Sequence, residues 1–236
     1  MLLFEVFMEE QRKKEFFRVF YHEIGHWFVA KQVSFTPQEI KIESRNLSKW
    51  ESHGHCSTVL YRKCEGLDDI IEYLHDRQLV LLAGAVFEAA MTGNGVDYAI
   101  HSLHNGSSND DYRKFLELAM VSLNFKLGSI SESLDEINQT INVFGCDELL
   151  QSLLAHRKQL ACEMFIMCKN EAQVKDFVDE AVSLVDYLLM RNTDFTNIEF
   201  TESQLNNLYV STVNEYCLSK EKNYFNRGPL SKLHPK

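Results

Sequence analysis

The chain has 236 residues, of which 45% are hydrophobic and 25% charged, and it carries a formal net charge of −10. This is chain enough for one large domain or two small ones, and the scarcity of Gly and Pro suits a folded, mostly helical protein. The acidic balance argues against a nucleic-acid or anionic-membrane surface, because phosphates repel it.

The N-terminal MLLFEVFM is apolar and then meets EEQRKK. It is too short to span a bilayer and lacks the basic start of a secretory signal, and no later run reaches the ~20 apolar residues of a membrane helix. Six Cys form no CxxC pair. The expectation is a cytoplasmic chain with reduced thiols and no membrane insertion.

Residues 9–33 read as one helix, with Phe16, Phe17, Phe20, Ile24, Trp27 and Phe28 on its apolar side. Its middle is YHEIGHWF. His22 and His26, at i and i+4, lie on one helix face and could reach one ion. Glu23 falls beside them, where a carboxylate could take the proton of a water that zinc has acidified. The competing reading is a core helix that happens to carry two histidines. Gly25 costs about 1 kcal/mol relative to Ala and either lets another backbone approach or is tolerated.

After SFTPQ the pattern changes. EIKIES alternates and HGHCSTVLYRK is rich in strand formers, so a small sheet or hairpin fits 39–63. His53 and His55, alternate residues of that strand, could clamp a metal or face solvent. Residues 68–91 return to helix, and RQLVLLAGAVFEAAMTG, apolar nearly all round, marks it as buried. TGNGVD and LHNGSSND are loop signals, which place His101 and His104 in a loop. NDDYRKFLELAMVSL starts another helix. From 132 to 220 the pattern is helical, with segments at 145–169, 171–191 and 202–219, and the tail 225–236 reads as loose. One domain over 1–224 is expected, with a metal-binding half at 9–125 and a helical half at 132–220. Its fold class is mainly α with a small β-sheet (α+β), the HExxH helix packing with a helical C-terminal bundle.

YHEIGHWFVA, LLAGAVFEAAMTG and NGSSNDDYRKF occur in that order. In motif and spacing they resemble the peptidase domain of the FtsH-type, AAA+ associated zinc proteases, most clearly over 16–125. Those proteins carry HEAGH in a helix, then a small strand region, a helix ending in a GGRxAEE-like run, and a TGASNDL-like segment whose aspartate is the third zinc ligand. The resemblance implies a Zn2+ site with His22 and His26 as ligands and Glu23 as general base. It implies Asp110 as the third ligand, with Asp111 as the alternative because adjacent helical residues point about 100° apart. Either aspartate could instead serve only as favourable charge at a helix N-terminus.

Glu88 matches the first glutamate of AEE. A carboxylate within an apolar run must be paired, and it could accept the second N–H of a ligand histidine or reach solvent at the helix end. GHCSTVLYRK matches a segment at the sheet edge, which could bind an extended peptide through backbone groups or be covered. Ala85 and Ala89 stand where the family has arginine and its second glutamate. The chain shows no GxxxxGK[ST] phosphate loop.

The resemblance therefore implies a zinc-dependent endopeptidase that cuts flexible or unfolded polypeptides, without an ATPase of its own and with an ATPase partner possible in trans. The alternative is a catalytically weak or inactive, metal-bound protein that binds peptides or regulates, acting with a partner ATPase or protease.

Overall fold

The computed structural model describes residues 2–46, 51–105, 108–130, 134–191 and 197–213, and the side chains of 10–43, 52–104, 108–122, 151, 153–190 and 197–213. Among these residues the protein is mainly helical, with seven helices and one three-stranded antiparallel sheet. The order is α1 (Leu2–Gln32), β1 (Thr36–Asn46), β2 (Glu51–Val59), α2 (Leu67–Met91), α3 (Val96–Asn105), α4 (Asn109–Ile130), α5 (Leu134–Asn170), α6 (Ala172–Arg191), β3 (Asn197–Phe200) and α7 (Glu202–Thr212).

The α1 helix packs on α2 along one side and on β1 and β2 along another. It therefore buries more than one stripe, and from His22 to Ala30 every residue but His26 is buried. The crossing with α2 is close. A methyl group at Gly25 would stand 2.7 Å from the Ala83 carbonyl oxygen and 2.7 Å from Cβ of Phe87. The glycine is thus spent on helix contact, and its poor helix propensity is offset by tertiary packing. Aromatic rings extend this core. Trp27 stacks on Phe177 of α6 at 5.7 Å, Phe28 meets Phe87 and Phe177, and Phe20 meets Phe200 of β3. Each of these rings is almost wholly buried, a contribution of about 1.5–3 kcal/mol apiece from burial of apolar area.

In the sheet β1 is central and β2 and β3 are its edges. Pairing across it aligns Ile42 with Gly54 and Ile198, and Ile40 with Cys56 and Phe200. Alternation along each strand sends these residues to the α1 side.

The α2 helix is buried without a break from Gln78 to Ala90, as its all-round apolar run predicts. It ends at Gly93 with φ +79°, where Asn94 N–H donates to the Ala89 carbonyl, a left-handed helix stop that glycine adopts readily. Thr201 and Gln204 form a capping box at the start of α7.

The structure corrects three expectations. Residues 96–105 form a helix, so His101 and His104 stand on α3 and not in a loop. Its buried Ala99 and Leu103, at i and i+4, are a short helical repeat between two strong turn signals. The helical half is interrupted by β3, whose four residues alternate exposed and buried. The α1 helix takes in the N-terminal apolar stretch from Leu2. The proposed loose tail at 225–236 lies outside the described residues, as does the end of the predicted 202–219 helix. Among the described residues no helix is long and apolar enough to cross a membrane. Cys56, Cys64, Cys162 and Cys168 are free thiols, and the side chains of Cys146 and Cys217 lie outside the described residues.

Candidate metal centre

His22 and His26 project from one face of α1 toward α2, and the fold makes room for them there. A methyl group at Gly84 would stand 2.5 Å from Nε2 of His26 and 2.6 Å from Nε2 of His22. Any larger residue at that position would occupy the space of the two rings.

The two Nε2 atoms are 3.0 Å apart. Oδ2 of Asp111, from the first turn of α4, lies 3.3 Å from Nε2 of His22 and 3.4 Å from Nε2 of His26. Tetrahedral bonds of about 2.0–2.2 Å set neighbouring ligand atoms about 3.3 Å apart, so this triangle fits one metal ion. His22, His26 and Asp111 are the one such cluster among the described residues.

The outer ring nitrogens support that reading. Nδ1 of His26 lies 2.7 Å from the Val80 carbonyl oxygen. A carbonyl only accepts, so Nδ1 carries the proton and Nε2 keeps its lone pair. Nδ1 of His22 stands 3.5 Å from Oε2 of Glu88, an ion-pair contact short of a well-formed hydrogen bond. In the neutral rings this assignment turns both Nε2 lone pairs toward a carboxylate oxygen. Three lone-pair donors at such distances call for a cation between them.

Without a metal, a proton is the simplest cation available. Burial works against a charged His22 ring, but the contacts with the Asp111 and Glu88 carboxylates, with the nearby Glu23 charge, outweigh it and push the ring up to about 10. Burial likewise works to raise Asp111. The two histidines outweigh it and hold the carboxyl far below the usual carboxylate range.

Glu88 is fully buried. Burial alone would push it up, yet the facing His22 ring and the Arg18 guanidinium bring it below its ordinary value. Its carboxylate meets Nη1 of Arg18 at 3.2 and 3.3 Å and accepts from the Tyr98 hydroxyl at 3.2 Å. Of the two readings that the sequence leaves open for Glu88, the buried partner beside a histidine is what the structure shows.

Glu23 is buried on the other flank, beneath β2. A methyl group at Gly54 would stand 2.5 Å from Oε1 of Glu23 and would also overlap its Cγ. The edge strand therefore runs directly over the glutamate. His53 and His55, on either side of Gly54, point away and are exposed, as strand alternation requires.

Asp110 is the correction at this site. It is exposed in the first turn of α4, while Asp111 faces the histidines. Helix phase decides between them. One turn or more beyond Asp111 come Phe115, Leu118 and Ser122, which are buried or half-buried; beyond Asp110 come Arg113, Lys114 and Glu117, which are exposed. The α4 helix must turn the first set inward, and Asp111 goes with it. That stripe is readable in the sequence and favours Asp111 over the position matched by motif.

Compared with known protein families, curated proteins and solved structures, the chain matches none. The site therefore rests on its own geometry.

Proposed function

We propose that the protein is a zinc-dependent endopeptidase of FtsH-like type, acting on flexible or unfolded polypeptides. The observation that carries this reading is the convergence of His22, His26 and Asp111 next to Glu23, under an edge strand. Two imidazoles and one carboxylate with an open fourth position suit zinc. Zinc held there would acidify a water and polarise a substrate carbonyl.

The chain's own residues supply the rest. Nε2 of His22, Nε2 of His26 and Oδ2 of Asp111 would hold the ion, while the Val80 carbonyl and Glu88 orient the two rings. Glu23 takes the proton of the attacking water and returns it to the leaving amine. Among the described residues β2 has only β1 as a sheet neighbour, so its outer backbone groups can pair with an extended substrate. Gly54 in the middle of β2 brings that backbone close to Glu23. Backbone pairing needs a segment whose own N–H and C=O groups are free, which selects unfolded or flexible chains. A partner ATPase in trans could supply such segments.

The test is cleavage of unfolded casein by zinc-loaded wild-type protein and Glu23→Gln. Removing the base should slow cleavage by roughly 10²–10⁴-fold while zinc content stays unchanged. Equal cleavage by both proteins would refute the assignment.

A further inference from the structure

The two ligand histidines are braced differently. Nδ1 of His26 meets a backbone carbonyl of the buried α2 helix, which is rigid without further help. Nδ1 of His22 meets a side-chain carboxylate, and the terminal torsion of glutamate is broad. A carboxylate in that role is only as well placed as its own partners make it.

We propose that Arg18 and Tyr98 are positioning residues for the metal, fixing Glu88 so that its Oε2 faces the His22 ring. The inference rests on the metal-site reading above. Arg18 lies one turn before His22 on the same side of α1. Its Nε and Nη2 each meet Glu15 at 2.8 Å, and its Nη1 reaches both oxygens of Glu88. Tyr98, from α3, donates to Oε1 of Glu88 at 3.2 Å. Oε1 is thus engaged by Tyr98 and Arg18, and Oε2 is shared between Arg18 and His22. Turning the carboxylate would break contacts at both oxygens. Glu15 in turn locks the guanidinium in a two-point grip. The chain from Glu15 through Arg18 and Glu88 to His22 does for one ligand what the Val80 carbonyl does for the other.

The experiment compares wild type, Arg18→Gln, Arg18→Lys and Tyr98→Phe. Zinc affinity is read by competition with a chromophoric chelator. The visible spectrum of the cobalt(II)-substituted protein reads ligand geometry, which a purely stabilising role would leave alone. Arg18→Gln should weaken zinc binding about 10- to 100-fold, as loss of a ligand's outer support does, and should shift the cobalt bands. Arg18→Lys should recover part of the affinity, since it keeps the charge and loses the fork. Tyr98→Phe should weaken binding by about 2- to 10-fold, the worth of one hydrogen bond.

A folded Arg18→Gln protein with wild-type affinity and spectrum would overturn the inference. Should that variant fail to fold, Tyr98→Phe decides, because Tyr98 is 40% exposed and its ring stays in place; an unchanged affinity and spectrum there overturns the inference equally. Wild-type protein that takes up neither metal would overturn the metal-site reading itself, an outcome distinct from uptake that these substitutions do not affect.

Discussion

Two of the histidine pairs in this chain show what spacing alone supplies toward sharing an ion. His22 and His26 stand one turn apart on α1, and His53 and His55 stand two residues apart on β2. By spacing alone they are equals. Around the first pair the fold adds Asp111 from 89 residues along the chain, a carbonyl and a carboxylate behind the rings, and a glycine where a larger side chain would fill the space. The second pair stays exposed on β2, opposite Glu43 and Lys41 of β1. The difference teaches that spacing supplies two donors and a direction. A site also needs a donor from another element, and occupied outer nitrogens that turn the lone pairs inward.

The strongest way to break this comparison is to remove the distant donor. Asp111→Ala should weaken zinc binding by more than about 100-fold, since a direct ligand counts for more than its outer support. Asp110→Ala should leave it within about 2-fold, as befits an exposed residue outside the cluster. Elemental analysis and chelator competition on the folded proteins would measure both. The opposite result would mean that α4 sits one residue out of phase.

A subtler test uses the proton that replaces the ion. In metal-free protein His22 is raised to about 10. A raised folded-state value contributes stability that is complete below the unfolded value of about 6.5 and is lost as pH climbs through the folded one. The thermal midpoint of chelator-treated protein should therefore fall between about pH 7 and pH 10. Zinc-loaded protein should escape that loss, because its ring is already deprotonated. If the two forms showed the same pH dependence, Asp111 and Glu88 would not be holding a charged ring between them.

The smallest effect belongs to the other pair. His53→Ala combined with His55→Ala should leave zinc content unchanged and stability within about 0.5 kcal/mol, as for exposed positions away from special features. Loss of zinc in that protein would erase the contrast from which the site is argued.

Much of the scaffold was legible in the sequence. The α1 and α2 helices and the β1–β2 region carry long, regular patterns, and local pattern is what a sequence expresses directly. The short elements were not legible. Four residues of β3 become a strand because β1 offers them a ladder, and α3 is a ten-residue helix between two turn signals. At the site, the His22–Glu23–His26 motif and the need to pair Glu88 were readable from spacing and from an acid in an apolar run. The partners of Glu88 were not, because Arg18 lies 70 residues away on another helix and Tyr98 lies on the helix that the turn signals concealed.

The sequence by itself determined that one helix would present two imidazoles and a glutamate, since a period of 3.6 residues admits no other arrangement along that stretch. It also held, in the stripe from Asp111 to Phe115, the phase of α4. Only the tertiary structure decided that this phase meets the histidines, that Gly84 clears space for them and that Gly54 brings an edge strand over Glu23. Those outcomes depend on how the helices and the sheet share one core. Burial acts on whole faces brought together from distant parts of the chain, and no local window contains both sides of such a contact.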